Sequence, residues 1–218
     1  MSGRLEGIRR GEWSLSLRFS PVTDANDDVF FGQTEKKSAK PRKNKPVNLT
    51  ILQEDEEKLP PLVCGAVYTD GDWETLLSLA AKADALRRAL ESLSRGDLSR
   101  RALYARLRHK GVGDADARFA VDRVVALGDL REEEQLRRLC RSLSQKGKGP
   151  RVIMAKAAAA GYRRADAERT LSALQEEGEI DFSAKAGKIA RILRDDGLTR
   201  AEILHKLYAA GFDIADEE

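Results

Sequence analysis

Two stretches of the sequence concentrate basic side chains. Residues 95–110 hold six lysines and arginines against the single acid Asp97, and residues 137–156 hold seven and no acid at all. Because lysine and arginine displace the counterions of phosphate groups, such stretches predict contact with a polyanion such as single- or double-stranded DNA. The candidate contact residues are Arg100, Arg101, Arg106, Arg108, Lys110, Arg138, Arg141, Lys148, Arg151 and Lys156.

The acidic residues bear on this prediction because they gather elsewhere, at 132–134, 176–179 and 216–218. Arginine is also a good helix former, so a solvated helical surface is the alternative explanation of the basic stretches. The absence of acids from residues 137–156 favours a functional basic face.

The sequence offers no set of residues for catalysis or metal binding. Its histidines, His109 and His205, and its cysteines, Cys64 and Cys140, are isolated from one another. No metal-ligand spacing and no nucleophile–base arrangement follows from them. We therefore expect no catalytic residue, no metal, no cofactor and no enzymatic activity, and we expect the cysteines to be ordinary thiols in a reducing compartment.

A glycine–lysine linker occupies residues 146–150, Lys-Gly-Lys-Gly-Pro. Glycines flanked by lysines can cradle a phosphate. However, the Gly-Lys-Ser/Thr ending of a nucleotide-binding P-loop is missing, and no parallel-strand unit surrounds the linker. The plainer interpretation is a flexible joint before a helix that begins at Pro150.

Composition limits the remaining classes. Charged residues make up 34% of the chain and aromatic residues 6%. No apolar run is long enough to span a membrane, and the first residues lack the apolar stretch of a signal peptide. We expect a cytoplasmic protein without a membrane partner, and the scattered aromatic residues do not favour base stacking as its binding mode.

A repeat of fifty residues organises the sequence from about residue 71 onward. Gly111, Gly161 and Gly211 have this spacing, and an apolar residue follows each of them. The same spacing relates apolar positions within the predicted helices: Leu86, Leu136 and Ala186; Ala89, Leu139 and Ile189; Leu93, Leu143 and Leu193; Leu103, Ile153 and Ile203; Leu107, Ala157 and Leu207.

The apolar pattern within a full repeat predicts three helices. The expected units are residues 71–131 with a leading helix, 132–181, and a truncated 182–218; the expected helices are 83–95, 99–110, 114–127, 132–146, 150–160, 164–177, 183–195 and 199–210. Ser99 and Thr199 suit N-caps, and the repeated glycines suit left-handed helix ends. Units with such thin cores should stack, so we predict a mainly α fold in which tandem three-helix repeats form an elongated, curved and monomeric array.

Residues 1–70 differ from the repeats. Trp13 to Phe19 and Val47 to Ile51 alternate apolar and polar residues, as half-buried strands do. Leu62 to Tyr68 is a third short apolar run, and Asp70-Gly71 is a turn signal. We expect a small β-rich segment with a flexible basic insertion at 32–46.

Several of these residues form a recognisable pattern. Residues 98–103 (LSRRAL), with Leu107 and residues 110–112 (KGV), resemble the first-unit signature of RecX proteins. Residues 146–150 with Ile153 are similar to that family's link into its second unit, residues 128–130 (GDL) to the step between units, and residues 204–212 to the third-unit ending. The chain departs from the family pattern at residues 131–136 (REEEQL), where a pair of aspartates and then an aromatic–alanine step are usual, and at Phe182, where the family has tryptophan.

The resemblance implies regulation rather than chemistry. RecX proteins lie in the groove of the RecA–DNA filament, block its extension and promote its disassembly, and they thereby damp recombination, the RecA ATPase and SOS signalling. Of the candidate residues, the family motif covers only Ser99 to Arg101, Lys110 and Lys146 to Pro150. The main alternative from the residues themselves is a stand-alone, helix-turn-helix-like nucleic-acid-binding module; a helical scaffold for an unrelated protein is a further one.

Overall fold

A computed structural model describes residues 3–21 and 46–212 of the chain. Most of the predicted flexible segment 32–46 and the acidic end 213–218 lie outside these described residues. The fold divides into two compact units, Met1–Arg88 with Gly113–Ala120 and Ala89–Val112 with Val121–Glu218. It is mainly α, with a small N-terminal sheet, as the sequence predicts.

The first unit contains a four-stranded antiparallel sheet in the order β3-β2-β1-β4. The strands are β1 (Gly3–Arg10), β2 (Ser14–Pro21), β3 (Val47–Leu52) and β4 (Val67–Tyr68), and the long helix α1 (Asp70–Leu93) follows them. One face of the sheet is buried together with apolar residues of α1. The shared core comprises Leu5, Leu15, Leu17, Phe19, Ile51, Leu59, Tyr68, Trp73, Leu76 and Leu79.

Aromatic side chains hold the centre of this core. The Phe19 ring meets the rings of Tyr68 and Trp73 edge-on, with centroids 5.4 and 5.0 Å apart. Such edge-to-face pairs add stabilisation beyond the burial of their area. Gly3 lies against the same indole, since a Cβ on Gly3 would be 2.9 Å from Trp73.

The sequence prediction was incomplete in this unit. It missed β1, because a β-bulge between Leu5 and Gly7 interrupts the alternation that identifies a strand. It placed Trp13 in a half-buried strand, whereas Trp13 lies in the β1–β2 turn and is exposed. Of the run Leu62 to Tyr68, only β4 is extended, and it pairs with Gly3 and Arg4.

The turn predicted at Asp70-Gly71 was wrong, since both residues belong to the first turn of α1. Asp72 explains the difference: its Oδ2 accepts hydrogen bonds from the Thr69 backbone amide at 3.1 Å and from the Thr69 hydroxyl at 2.8 Å. A carboxylate reaching back to the residue before the helix is one half of a capping box. Residues that often form turns therefore begin a helix here.

The repeats form seven further helices within the described residues. They are α2 (Arg100–His109), α3 (Asp114–Ala126), α4 (Glu132–Gln145), α5 (Pro150–Ala159), α6 (Arg164–Glu176), α7 (Phe182–Asp195) and α8 (Arg200–Ala210). All agree with the predicted helices to within a few residues. The exception is the first predicted helix, 83–95, which is not a separate helix but the C-terminal part of the longer α1.

The helices α2, α5 and α8 are here called the middle helices, and their predicted apolar positions are buried in every repeat. Leu103, Ile153 and Ile203 are buried, as are Leu107, Ala157 and Leu207. Burial is less uniform among the equivalent positions in the first helix of each repeat: Leu136 is 2% exposed, whereas its equivalent Ala186 is only partly buried. Helix α6 packs on α4, whereas the described third repeat holds only α7 and α8, so α7 has less cover.

The predicted helix signals are present. The Ser99 hydroxyl accepts from the Ala102 amide, and Thr199 forms a full capping box with Glu202. Gly111, Gly161 and Gly211 have φ angles of 80°, 89° and 93°, in the left-handed region that favours glycine.

The middle helices of successive repeats meet end to end. The Ser99 hydroxyl before α2 donates a hydrogen bond of 2.7 Å to the carbonyl of Ala160 at the end of α5. One repeat later, the Gly149 amide before α5 donates a bond of 2.8 Å to the carbonyl of Ala210 at the end of α8. Both contacts join residues 61 positions apart. We call each of them an end-to-end joint.

Glycine makes the close approach at these joints possible. A Cβ on Gly149 would lie 2.4 Å from both the carbonyl carbon and the oxygen of Gly211, and a Cβ on Gly161 would lie 2.5 Å from the Ser99 Oγ. Gly111 has the same backbone conformation, but nothing lies within 4 Å of its missing Cβ. A Cβ on Gly211 would lie 2.6 Å from the Val152 amide nitrogen, so Gly161 and Gly211 each have two reasons to be glycine, whereas Gly111 has only its φ angle.

The joint at Gly149 can be tested by adding a single carbon. Gly149→Ala should lower the free energy of unfolding by about 1–3 kcal/mol, the usual cost of forcing an atom into a packed contact. The measurement is urea unfolding followed by circular dichroism. Gly149→Ser should also destabilise the protein: serine supplies an oxygen that can cap the helix, but it introduces the same clashing Cβ as alanine does.

Gly187→Ala is the matched control, because Gly187 lies within α7 with nothing within 4 Å of its missing Cβ. It should stabilise the protein by about 0.5–1 kcal/mol through the better helix propensity of alanine. An equal free energy of unfolding for Gly149→Ala and the wild type would show that the backbone at the joint moves to admit the Cβ without loss of stability.

Candidate functional site

The ten predicted contact residues all lie in the second unit, and their surroundings differ. On α2, Arg100 faces Glu132, with Nε 3.6 Å from the carboxylate, and Arg108 donates to the carbonyl of Val112 at 2.7 Å. Just after α2, the Lys110 ammonium lies 3.1 Å from the Ser92 hydroxyl. Arg101 and Arg106 are exposed and form no ion pair with a described residue.

The stretch 137–156 lacks acids in sequence but not in space. Glu179, in the link between α6 and α7, accepts from Arg141 of α4 at both of its oxygens, one of them at 2.8 Å. Glu177 accepts from Arg137, and Arg138 pairs with Asp97 at 3.0 Å. Acids 38 to 41 residues away therefore partly neutralise α4.

The pKa values of the paired groups follow from these contacts. The hydrogen bond to Glu179 raises the pKa of Arg141, and the same bond lowers the pKa of Glu179 below its ordinary value. The carboxylate therefore stays ionised to lower pH than a free glutamate does. Both side chains remain more than a third exposed, so salt screens the pair.

Arg151 is part of the second end-to-end joint. Its guanidinium carbon lies 3.6 Å from the centroid of the Tyr208 ring, and the side chain also donates to the Tyr208 carbonyl. The Arg151 backbone amide donates to the Gly211 carbonyl at 3.1 Å. A stacked, hydrogen-bonded arginine at this position holds α5 against α8.

The glycine–lysine linker is not a phosphate cradle. The amides of Gly147 and Lys148 donate to carbonyls at the end of α4, and the Gly149 amide donates to Ala210. Pro150 has no amide to offer, so the linker has no set of free N–H groups for an anion. The predicted flexible joint is instead tightly packed, since Gly149 is buried against Gly211.

One set of cations repeats with the fold. Arg106, Lys156 and Lys206 each lie seven residues after the residue that precedes their middle helix, which is Ser99, Gly149 or Thr199. All three are exposed, and none lies within ion-pair distance of a described acid, although Lys206 interacts electrostatically with Glu202, four residues before it. We call them the cation row. The sequence prediction omitted Lys206, although the fifty-residue spacing from Arg106 and Lys156 would have identified it.

The described residues contain no group of three or more His, Cys, Asp and Glu side chains placed to hold a metal ion. His109 and His205 are both exposed. None of the described helices is long and apolar enough to cross a bilayer.

Comparison with solved structures identifies the fold. A crystal structure of regulatory protein RecX superposes with a TM-score of 0.67 at 13% sequence identity, covering 97% of this chain and 95% of that chain. The chain has the fold of RecX. A crystal structure of RecX from Lactobacillus salivarius gives a TM-score of 0.42 at 17% identity, over 59% of this chain and 97% of that chain. No protein-family model and no curated protein sequence matches the chain.

The RecX resemblance seen in the sequence is confirmed at the level of the fold. The residues that carried it have structural roles in this chain. Ser99 caps α2 and bonds across to Ala160, and Gly149 forms the second joint. Phe182, in the place of the family's tryptophan, is buried and meets Phe212 with ring centroids 6.4 Å apart. An aromatic residue thus fills that position of the core.

The two thiols should differ sharply in reactivity. Burial raises the pKa of Cys140 to about 11, whereas Cys64 is exposed. At pH 8 only about one Cys140 in a thousand is therefore ionised, and the thiolate is the reactive form.

Titration with a disulfide reagent at pH 8 should show one fast thiol per folded chain and the second only in denaturant. Cys64→Ser should abolish the fast phase and Cys140→Ser should leave it; two fast thiols in the folded wild type would contradict the assignment.

Proposed function

We propose that the protein is a negative regulator of RecA that acts by binding rather than by chemistry. It binds the RecA–DNA filament in the cytoplasm as a monomer, blocks filament extension and promotes disassembly, and it thereby damps recombination and SOS signalling. The observation that carries the proposal is the likeness to a RecX structure over 97% of the chain.

The tandem repeats support this mode of action. Repeats two and three share one hydrophobic core, which runs from Leu136 to Phe212 and includes residues of α4 to α8. Together with the end-to-end joints, this core connects successive repeats directly. A chain of linked units can contact several protomers of a filament at once, and contacts spread in this way make binding multivalent.

The basic residues supply the proposed contacts in two ways. Arg101, Arg106, Lys148 and Lys156 form no ion pair within the described chain, and Lys206 joins them through the cation row. Arg138 and Arg141 have acidic partners, and Arg151 has its tyrosine, so they must exchange those contacts to meet a phosphate. We propose that the cation row makes the first contacts with the filament.

The test is a titration of the protein into RecA on single-stranded DNA, following ATP hydrolysis and filament length together. Sub-stoichiometric protein should reduce both, as expected when growth is blocked at filament ends. The variant Arg106→Gln/Lys156→Gln/Lys206→Gln, which lacks the cation row, should need about tenfold more protein for the same effect at 100 mM salt, since three phosphate contacts are lost.

The matched control is Arg163→Gln/Lys188→Gln/Arg194→Gln, which removes three exposed charges outside the cation row and outside both basic stretches. It should inhibit nearly as well as the wild type. A filament unaffected by saturating wild-type protein, together with tight RecA-independent binding to DNA, would overturn the proposal in favour of the stand-alone nucleic-acid module.

Glu179 gives a test of the paired arginines on α4. Glu179→Gln should release Arg141, whereas Arg137 keeps its partner Glu177, and it should tighten binding to single-stranded DNA about threefold beyond its control, because a screened surface ion pair is weak enough to be exchanged. The control, Glu133→Gln, removes the same charge from an exposed residue without an ion pair among the described residues. Fluorescence anisotropy at 50 mM salt measures both; equal affinities would mean that α4 takes no part in binding.

A further inference from the structure

The sheet of the first unit has a second face whose role neither the repeats nor the proposed function explains. Residues of β1, β2 and β3 alternate, so that Leu15, Leu17 and Phe19 are buried while Ser16 and Arg18 between them are exposed. The exposed side chains come from all three strands. This outer face comprises Arg4, Arg9, Ser16, Arg18, Asn48 and Thr50, with Gly7 between them.

Strand pairing places the outer-face residues in rows across the sheet. Arg9 pairs with Ser16, which pairs with Thr50; Arg18 lies between Gly7 and Asn48 in the next row. Arg4 pairs with Ser20 in a third row. Residues two apart on a strand are separated by about 7 Å, so the three arginines are spread along the face instead of meeting at one point.

The charge of the outer face is mainly positive. Arg4 and Arg9 are exposed and form no ion pair with a described residue. Among the described residues Arg18 pairs with one acid, Glu6, whose oxygen lies 3.4 Å from the Arg18 Nε, and both side chains are well exposed. Three arginines against one carboxylate leave a net positive surface.

The shape of the outer face leaves room for a chain to lie on it. A shallow depression of about 460 Å³ runs across the three strands, lined by Gly7, Ile8, Arg9, Ser16, Leu17, Arg18, Asn48 and Thr50. Gly7 and Ser16 are small, and nothing lies within 4 Å of the position where Gly7 lacks a Cβ. The hydroxyls of Ser16 and Thr50 and the amide of Asn48 are donors of the kind that contact phosphate oxygens.

We propose that this outer face binds the sugar–phosphate backbone of single-stranded nucleic acid, without preference for sequence. A positively charged groove that follows the backbone is the electrostatic half of known single-strand binding surfaces. The other half is aromatic stacking, and the outer face has no aromatic side chain among its described residues. Binding therefore depends on phosphates and is strongly sensitive to salt.

Charge complementarity selects this occupant over others. The sequence between β2 and β3, residues 22–45, holds six lysines and arginines and four acids, so its net charge is positive and does not complement the face. The outer-face side chains are polar or charged, which does not suit an apolar protein partner. A duplex reader inserts a helix or a two-stranded ribbon into a groove, whereas short side chains over three strands present a broad, shallow surface.

The experiment measures binding of a fluorescein-labelled dT20 strand by the full chain in the absence of RecA, using anisotropy between 50 and 200 mM salt. The variant is Arg4→Gln/Arg9→Gln/Arg18→Gln. Losing three phosphate contacts should reduce the slope of log affinity against log salt by about 2, so the wild type should lose about 20-fold more affinity than the variant over this range. Glu6→Gln should tighten binding about twofold, since it releases Arg18.

The control is Arg163→Gln/Lys188→Gln/Arg194→Gln, which lowers the net charge by the same amount, and circular dichroism checks that every variant is folded. An unchanged slope for the outer-face variant would overturn the proposal, as would an equal loss for a dT20–dA20 duplex. This readout contains no RecA, so it fails or succeeds independently of the filament assay.

Discussion

The arrangement of the repeats depends on how the middle helices satisfy each other's ends. The last carbonyls of a helix have no partner within it, and burying them without one is costly. Here the residue that precedes one middle helix donates to the carbonyl that ends the next, Ser99 to Ala160 and Gly149 to Ala210. The donor is a side chain in one case and a backbone amide in the other, but both link residues 61 apart. A shared core under α4 to α8 then secures the step between repeats two and three.

The sequence predicted most of the repeat region because its signals are local. Caps such as Ser99, left-handed glycines such as Gly161 and a 3.6-residue apolar pattern lie within one helix and its ends. The end-to-end joints were not predicted, since they connect residues more than a full repeat apart. Strand β1 was not predicted because its bulge interrupts the two-residue alternation of a strand. Asp70-Gly71 was wrongly predicted as a turn because the helix there is capped by Asp72, which lies outside the dipeptide.

The candidate site was only partly predictable for a related reason. Sequence shows that residues 137–156 are rich in arginine, but it cannot show that Glu177, Glu179 and Asp97 lie against them. Counting charges along the chain therefore overstates the free positive charge of α4. The opposite error concerns Lys206: it stands outside both basic stretches, and only its equivalence to Arg106 and Lys156 marks it.

The basic residues thus fall into two classes with different consequences. Arg141 and Arg151 contribute to contacts between elements of the fold, so replacing them disturbs packing as well as any surface charge. The cation row has no such partners, and its spacing is inherited from the joints that connect the middle helices. If the linker before Pro150 were flexible, these charges would move independently and each contact would cost its own ordering entropy. Because Gly149 is packed against Gly211, α5 and α8 are held together, so the proposed contact with a filament would not have to order each repeat separately.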